Sequence, residues 1–165
     1  MLFLLCQVVT FIFENSLRGN DVKKDAIALD ISQQLLKLYK NGKLTLEAPV
    51  ITGKKDHDTP TGRYLLTKSN IRKSTSTEQI KLKGYNSLGK YYERDVDYWI
   101  EFIPTREIGF HDATWRDGTQ FYDASTYKNS GYPSGSLGCV NMRLDNVKTL
   151  YDNIKGSDIY VYVKD

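Results

Sequence analysis

The sequence predicts a mainly β domain with one late α-helix. Three observations carry this. Residues 26–31 (AIALDI) alternate with period two, and 158–163 (DIYVYV) form a clear apolar closing run. Asn41-Gly42 sits between two apolar runs, the strongest short signal for a β-hairpin. Helical spacing occurs over one stretch, where Val147, Leu150, Tyr151 and Ile154 fall on one face.

The chain has 165 residues, enough for one domain with a single core. Residues 1–25 form an apolar N-terminal segment plus linker, and the domain runs over 26–165. The first 13 residues, MLFLLCQVVTFIF, are fewer than the ~20 apolar residues of an ordinary membrane-spanning helix. They resemble the apolar core of a signal peptide but lack its basic start and small-residue cleavage site. A signal or anchor remnant, the cut end of a membrane protein and a buried first element all stay open, and with them a membrane contact through residues 1–13.

The elements follow in order. After 26–31, residues 34–39 (QLLKLY) and 44–52 (LTLEAPVIT) are the two arms of the Asn-Gly hairpin. Residues 53–62 (GKKDHDTPTG) read as a loop from their Gly, Pro and Asp content. Residues 63–68 (RYLLTK) are the next strand. The polar stretch 69–95 gives weak signals and is expected as a loop or lid with short strands. Residues 97–102 (DYWIEF) and 107–110 (EIGF) look like buried strands, and 140–142 a short one. The helix follows, with Asp145 as the expected cap and Gly156 as the stop, before the final strand.

A net charge of +3 suits an anionic surface such as a cell wall and is too weak for nucleic acid. No CxxC or HExxH spacing is present, so no metal is expected. The two cysteines sit in unlike settings and do not form a disulfide framework. Cys6 lies in an apolar run and reads as filler, whereas Cys139 lies among glycines.

Two segments carry the chemistry: 108–115 (IGFHDATW) and 134–142 (SGSLGCVNM). A thiol nucleophile needs an unobstructed approach to a carbonyl and nearby backbone N–H groups for the oxyanion. Gly135 and Gly138 permit tight backbone around Cys139, and the N–H groups of Leu137, Gly138 and Cys139 are natural donors. A free thiol is mostly protonated at neutral pH, so it needs a base. His111 is one of only two histidines and ends a strand-like run, and an imidazole there would favour a thiolate–imidazolium pair. His57, in a charged loop, reads as a solvated residue. Asn141 and Ser136 stand between turn roles and site-organising ones, and Trp115 between core and substrate wall.

From about residue 26 to 163 the chain resembles an L,D-transpeptidase (YkuD-like) catalytic domain. That family's pattern is a strand-borne His, a variable stretch, then Ser/Thr-His-Gly-Cys, an apolar residue, and Asn or Arg. His111 matches the first His, and Ser136, Gly138, Cys139, Val140 and Asn141 match the second element in order. Residues 108–115, 41–43, 53–62 and 142–154 resemble the family's flanking segments. Leu137 stands where the family usually has His, which keeps the backbone N–H and loses an imidazole. The stretch between His111 and Ser136 is longer than usual and is expected to form a loop over the site.

The resemblance implies a β-sandwich or mixed sheet with the helix after the catalytic cysteine. It implies Cys139 as nucleophile and His111 as base. Gly138, Leu137, Ser136, Asn141 and Tyr92 would form or organise the oxyanion site, and Trp115 and Asp112 would contact substrate. The implied partners are peptidoglycan stem peptides, donor and acceptor, with no cofactor. The implied setting is a monomer outside the cytoplasmic membrane, working in cell-wall biogenesis and cell shape. A hydrolase using the same nucleophile, or a non-catalytic wall-binding module favoured by Leu137, are the alternatives.

Overall fold

A computed structural model of the chain describes residues 25–86, 88–121 and 135–165. The expectations for residues 1–24, including Cys6, and for the loop over 122–134 lie outside the described residues. The mainly β expectation with one late helix is met. Strand β1 (Ala26–Asp30) lies at the centre of a five-stranded sheet. It pairs with β2 (Leu35–Lys40) antiparallel and with the last strand, β11 (Ile159–Lys164), in parallel. Strand β3 (Lys43–Pro49) and strand β4 (Gly62–Leu66) form its two edges. All five β1 residues are buried, as expected for a strand covered on both faces. Strand β11 alternates instead, with Ile159, Val161 and Val163 inward and Tyr160 and Tyr162 half-exposed. The Asn41-Gly42 turn has both residues at positive φ, 50° and 74°, the backbone that a two-residue hairpin requires.

The second sheet has four strands. Strand β5 (Ile71–Lys73) pairs with β8 (Tyr98–Ile103), β8 with β9 (Ile108–Asp112), and β9 in parallel with β10 (Val140–Met142). Gly109 faces Glu101 across the β8–β9 pair, and a Cβ there would stand 2.7 Å from the Ile100 carbonyl oxygen, so only glycine lets the strands close. Strands β6 (Ile80–Tyr85) and β7 (Tyr91–Val96) form a separate two-stranded ribbon. The polar stretch 69–95 is thus strand-rich, with the ribbon as the lid-like part.

Helix α1 (Leu144–Ile154) follows β10 and buries Val147, Leu150 and Ile154 in a core shared by both sheets. Phe102 and Phe110 stack at its centre, with ring centroids 4.6 Å apart. The helix ends differ from expectation. Arg143, not Asp145, holds the N-cap position. Asp145 lies in the first turn, where its carboxylate accepts from the Asn146 N–H and suits the positive end of the helix dipole. The C-cap is Lys155 in right-handed geometry, and Gly156 lies beyond it without a left-handed φ. No helix among the described residues is long and apolar enough to cross a membrane.

Candidate functional site

An open cleft of about 530 Å³ lies between the β6–β7 ribbon and one face of the second sheet. Parallel pairing of β9 with β10 builds its floor, because the register sets Asn141 directly beside His111. Cys139 ends the glycine-rich segment just before β10 and faces the same cleft.

The cysteine segment is braced from a distance. Ile51 bridges Asn141, and Gly53 bridges Ser136. The Thr59 hydroxyl donates to the Gly138 carbonyl at 2.7 Å and accepts from the Gly53 N–H at 2.9 Å. The loop over 53–62 therefore buttresses the backbone next to Cys139. Gly138 takes φ 120°, which disfavours any side chain. The Ser136 hydroxyl donates to the Cys139 carbonyl and accepts from the Gly138 N–H at 3.1 Å. Ser136 is thus a backbone organiser, and it corrects one expectation: the Gly138 N–H is engaged and does not point freely at an oxyanion. Among the described residues no hydrogen bond engages the N–H of Leu137 or Cys139, so these two remain as donors.

His111 is buried and held on every side. Its ring stacks between Trp99, 5.9 Å away, and Trp115, 5.8 Å away, at interplanar angles of 28° and 29°. Nδ1 lies 2.7 Å from the Asp112 carbonyl oxygen, and Nε2 lies 3.0 Å from Asn141 Nδ2. Burial pushes the imidazole down to about 4, against the Asp112 hydrogen bond and with the Arg116 charge helping. The Cys139 sulfur reaches the cleft, but the protein packed around it pushes the thiol up to about 11. The Gly109 N–H opposes that shift, and the carboxylates of Glu101 and Glu107 add to it. The thiol lies 3.6 Å from the Glu107 carbonyl. Glu107 itself sits at φ 53°, a strained conformation for a residue with a side chain.

Both shifts run against the thiolate–imidazolium pair that the sequence led us to expect, because burial disfavours charge on either group. Desolvation without a direct charge partner disfavours both ions. Cys139 and His111 share the cleft, while their hydrogen bonds in this state go to Glu107 and to Asn141 and Asp112.

The other expected residues divide. Tyr92, on β7, lines the cleft with Cys139, and its hydroxyl is pushed up, chiefly by burial. Trp115 and Leu137 both line the cleft and are partly open to solvent. Asp112 departs from its expected substrate contact. It is buried, and its carboxylate accepts from the Asp97 and Tyr98 N–H groups at 2.8 and 2.9 Å, which ties β9 to the start of β8. His57 is exposed, as expected. Reading the sequence missed Trp99, Glu101, Glu107, Arg94 and Arg116, all of which line the cleft. Arg116 alone carried a signal, as the cation directly after the quoted 108–115 run. No group of described residues could hold a metal ion.

Comparison with known proteins gives a consistent answer. The model of the YkuD family, the L,D-transpeptidase catalytic domain, matches residues 24–163. No curated protein matches the chain. Among solved structures, the carbamoyl enzyme that Ldtfm forms with avibactam is 29% identical with TM-score 0.67, over 86% of this chain and 50% of that one. The catalytic domain of an Enterococcus faecium L,D-transpeptidase acylated by ertapenem is 28% identical with TM-score 0.59, over 85% of this chain and 98% of that one. A Mycobacterium smegmatis L,D-transpeptidase, 18% identical with TM-score 0.62 over 86% of this chain and 59% of that one, shares the fold. The chain spans half the length of the first of these structures.

Proposed function

The chain belongs to the YkuD family of L,D-transpeptidase catalytic domains, and from that premise we propose that it cross-links peptidoglycan stem peptides through a thioester on Cys139. The observation that carries this reading is the convergence of Cys139, His111 and Tyr92 on one cleft roofed by a separate ribbon. The reaction as proposed runs outside the cytoplasmic membrane. Every group it uses comes from one chain, so a monomer suffices.

The first half-reaction begins when a donor stem enters and displaces water. The Cys139 thiol leaves the Glu107 carbonyl and attacks the carbonyl carbon of the diamino acid linked to D-Ala. The thiol proton passes to His111 Nε2, which Asn141 releases. The carbonyl oxygen gains negative charge and meets the N–H groups of Cys139 and Leu137 and the Tyr92 hydroxyl. The tetrahedral species collapses, the C–N bond breaks, and His111 returns its proton to the departing amine of D-Ala. A thioester and a neutral imidazole remain.

The side-chain amine of a second stem then attacks the thioester. Its proton goes to His111, the C–S bond breaks, and the Cys139 sulfur is reprotonated. Starting from neutral groups costs ionisation energy only after the substrate is bound, which spares an unoccupied thiol from oxidation. Leu137 gives the cleft an apolar wall and supplies only its N–H.

The test is product analysis with a tetrapeptide stem plus an acceptor stem. The reading predicts a cross-linked dimer and released D-Ala from the parent chain and neither from Cys139→Ala. Free tripeptide as the sole product, with acceptor amine in excess, would replace transfer by hydrolysis. Equal activity in Cys139→Ala would overturn the reading altogether.

A further inference from the structure

The hydrogen bonds around His111 continue one residue further than the reaction needs. Arg116 Nε donates to Asn141 Oδ1 at 2.7 Å, and Arg116 Nη2 donates to the Gly135 carbonyl at 3.2 Å. Asn141 Nδ2 in turn lies 3.0 Å from His111 Nε2, and His111 Nδ1 lies 2.7 Å from the Asp112 carbonyl oxygen. Each link has one permitted polarity. A guanidinium only donates, so the Asn141 atom facing it is the oxygen. The Asn141 NH2 group then faces Nε2, which must accept and carry no proton. A carbonyl only accepts, so Nδ1 carries the proton. The chain of donors starting at Arg116 thus fixes both the orientation of the amide and the tautomer of the imidazole.

We infer that Arg116 is a positioning residue for the base: by holding the Asn141 amide with its NH2 group on Nε2, it selects the Nδ1–H tautomer of His111. The inference rests on the proposed function only for calling His111 the base. The tautomer is a property of the resting protein and can be read without substrate. Without Arg116 the Asn141 amide is free to turn, presenting its oxygen to Nε2, and the Nε2–H tautomer and the imidazolium both gain an acceptor. With Arg116 in place, protonating Nε2 sets N–H against N–H. Arg116 also joins the two halves of the site, because Gly135 begins the described part of the cysteine segment and Asn141 belongs to β10.

Among the described residues, Arg72 on β5, Lys81 and Lys83 on β6, and Glu107 before β9 line the cleft with His111 as charged groups. Asp112 on β9 points its carboxylate to the β8 amides, and Glu101 on β8, Tyr92 and Arg94 on β7, and Cys139 share the cleft. None of these makes a hydrogen bond to the ring among the described residues.

The experiment is nitrogen-15 NMR of the two histidines, with the exposed His57 as an internal reference, in the parent chain, Arg116→Met, Arg116→Lys and Asn141→Asp. The parent is expected as neutral Nδ1–H at His111 down to acid pH. Arg116→Met is expected to populate Nε2–H and to raise the titration midpoint of His111. It should slow carbapenem acylation of Cys139 by on the order of 10-fold or more, a part of the roughly 10²–10⁴-fold that a general base contributes. Arg116→Lys, which retains a cation and a donor, is expected to restore the Nδ1–H signal. Asn141→Asp gives Nε2 a carboxylate and is expected to protonate it even if Arg116→Met fails to fold. An unchanged Nδ1–H tautomer and midpoint in Arg116→Met or Asn141→Asp would overturn the inference. If instead the tautomer shifts and acylation does not slow, the NMR result stands and the base role of His111 falls.

Discussion

At the scale of single residues, the chemistry of the cleft is set by burial. The Cys139 thiol is pushed up to about 11, so little thiolate exists at neutrality. Alkylation of Cys139 by iodoacetamide should be about 100-fold or more slower at pH 7 than for a free cysteine, and should keep rising with pH beyond the usual thiol range. A full reaction at the free-cysteine rate would show that the sulfur is not desolvated as described. His111 leaves a separate trace in stability. Its imidazole is pushed down to about 4, so the unfolded chain takes up a proton first as pH falls below 6.5. The stability this contributes is fully present above 6.5 and is lost as pH falls toward 4, on the order of 3 kcal/mol. Urea midpoints for the parent should therefore fall across that window more steeply than those of His111→Gln. Asp112, whose carboxyl is pushed up by burial, is common to both proteins and drops out of the difference.

Cys139 and His111 could be found in the sequence because each belongs to a short motif with its own chemical logic. The hydrogen bonds that hold them could not. Ser136 acts on backbone within its own turn. Arg116 and Asn141 meet only after β10 pairs with β9. The substrate contact that the resemblance implied for Asp112 is not seen, because its carboxylate is taken up by backbone amides at the start of another strand.

Among the elements, the strands with one apolar period were legible, and so was the Asn41-Gly42 turn. The β6–β7 ribbon was not, because it buries little. Its Tyr85 and Tyr91 rings meet edge to face at 5.6 Å, and Lys81 pairs with Glu93 and Asp95 on its surface. Its one apolar alternation, Ile80-Lys81-Leu82-Lys83, is short and only half-buried, too weak a signal among the polar residues around it. The loop over 53–62 was legible as a loop but not as a brace. Thr59→Val keeps the shape and removes the hydroxyl that serves both the Gly53 N–H and the Gly138 carbonyl. Leaving these buried groups unpaired should cost about 1–3 kcal/mol by denaturant unfolding. If Cys139 is the nucleophile as proposed, Thr59→Val should also slow its acylation, since Gly138 sets the backbone of the next residue. A variant with parental stability and rate would show that the brace is incidental.

For the whole molecule, one core serves both sheets and the helix, and the cleft sits where the second sheet meets the ribbon. Leu150 of α1 is fully buried in that core, so Leu150→Ala should cost about 2–5 kcal/mol. Leu88, at the tip of the ribbon and 83% exposed, should change stability by less than about 0.5 kcal/mol on replacement by Ser. Comparable losses at both positions would contradict the division into a packed core and a peripheral ribbon.

The central claim is that this cleft forms a thioester on Cys139 with His111 as base. The most direct measurement is intact-protein mass spectrometry after incubation with ertapenem, the acylating compound in the Enterococcus faecium relative. The parent chain should gain a single adduct that maps to Cys139, His111→Ala should gain it far more slowly, and Cys139→Ala should gain none. A folded parent chain that stays unmodified, or an adduct that persists in Cys139→Ala, would contradict the account.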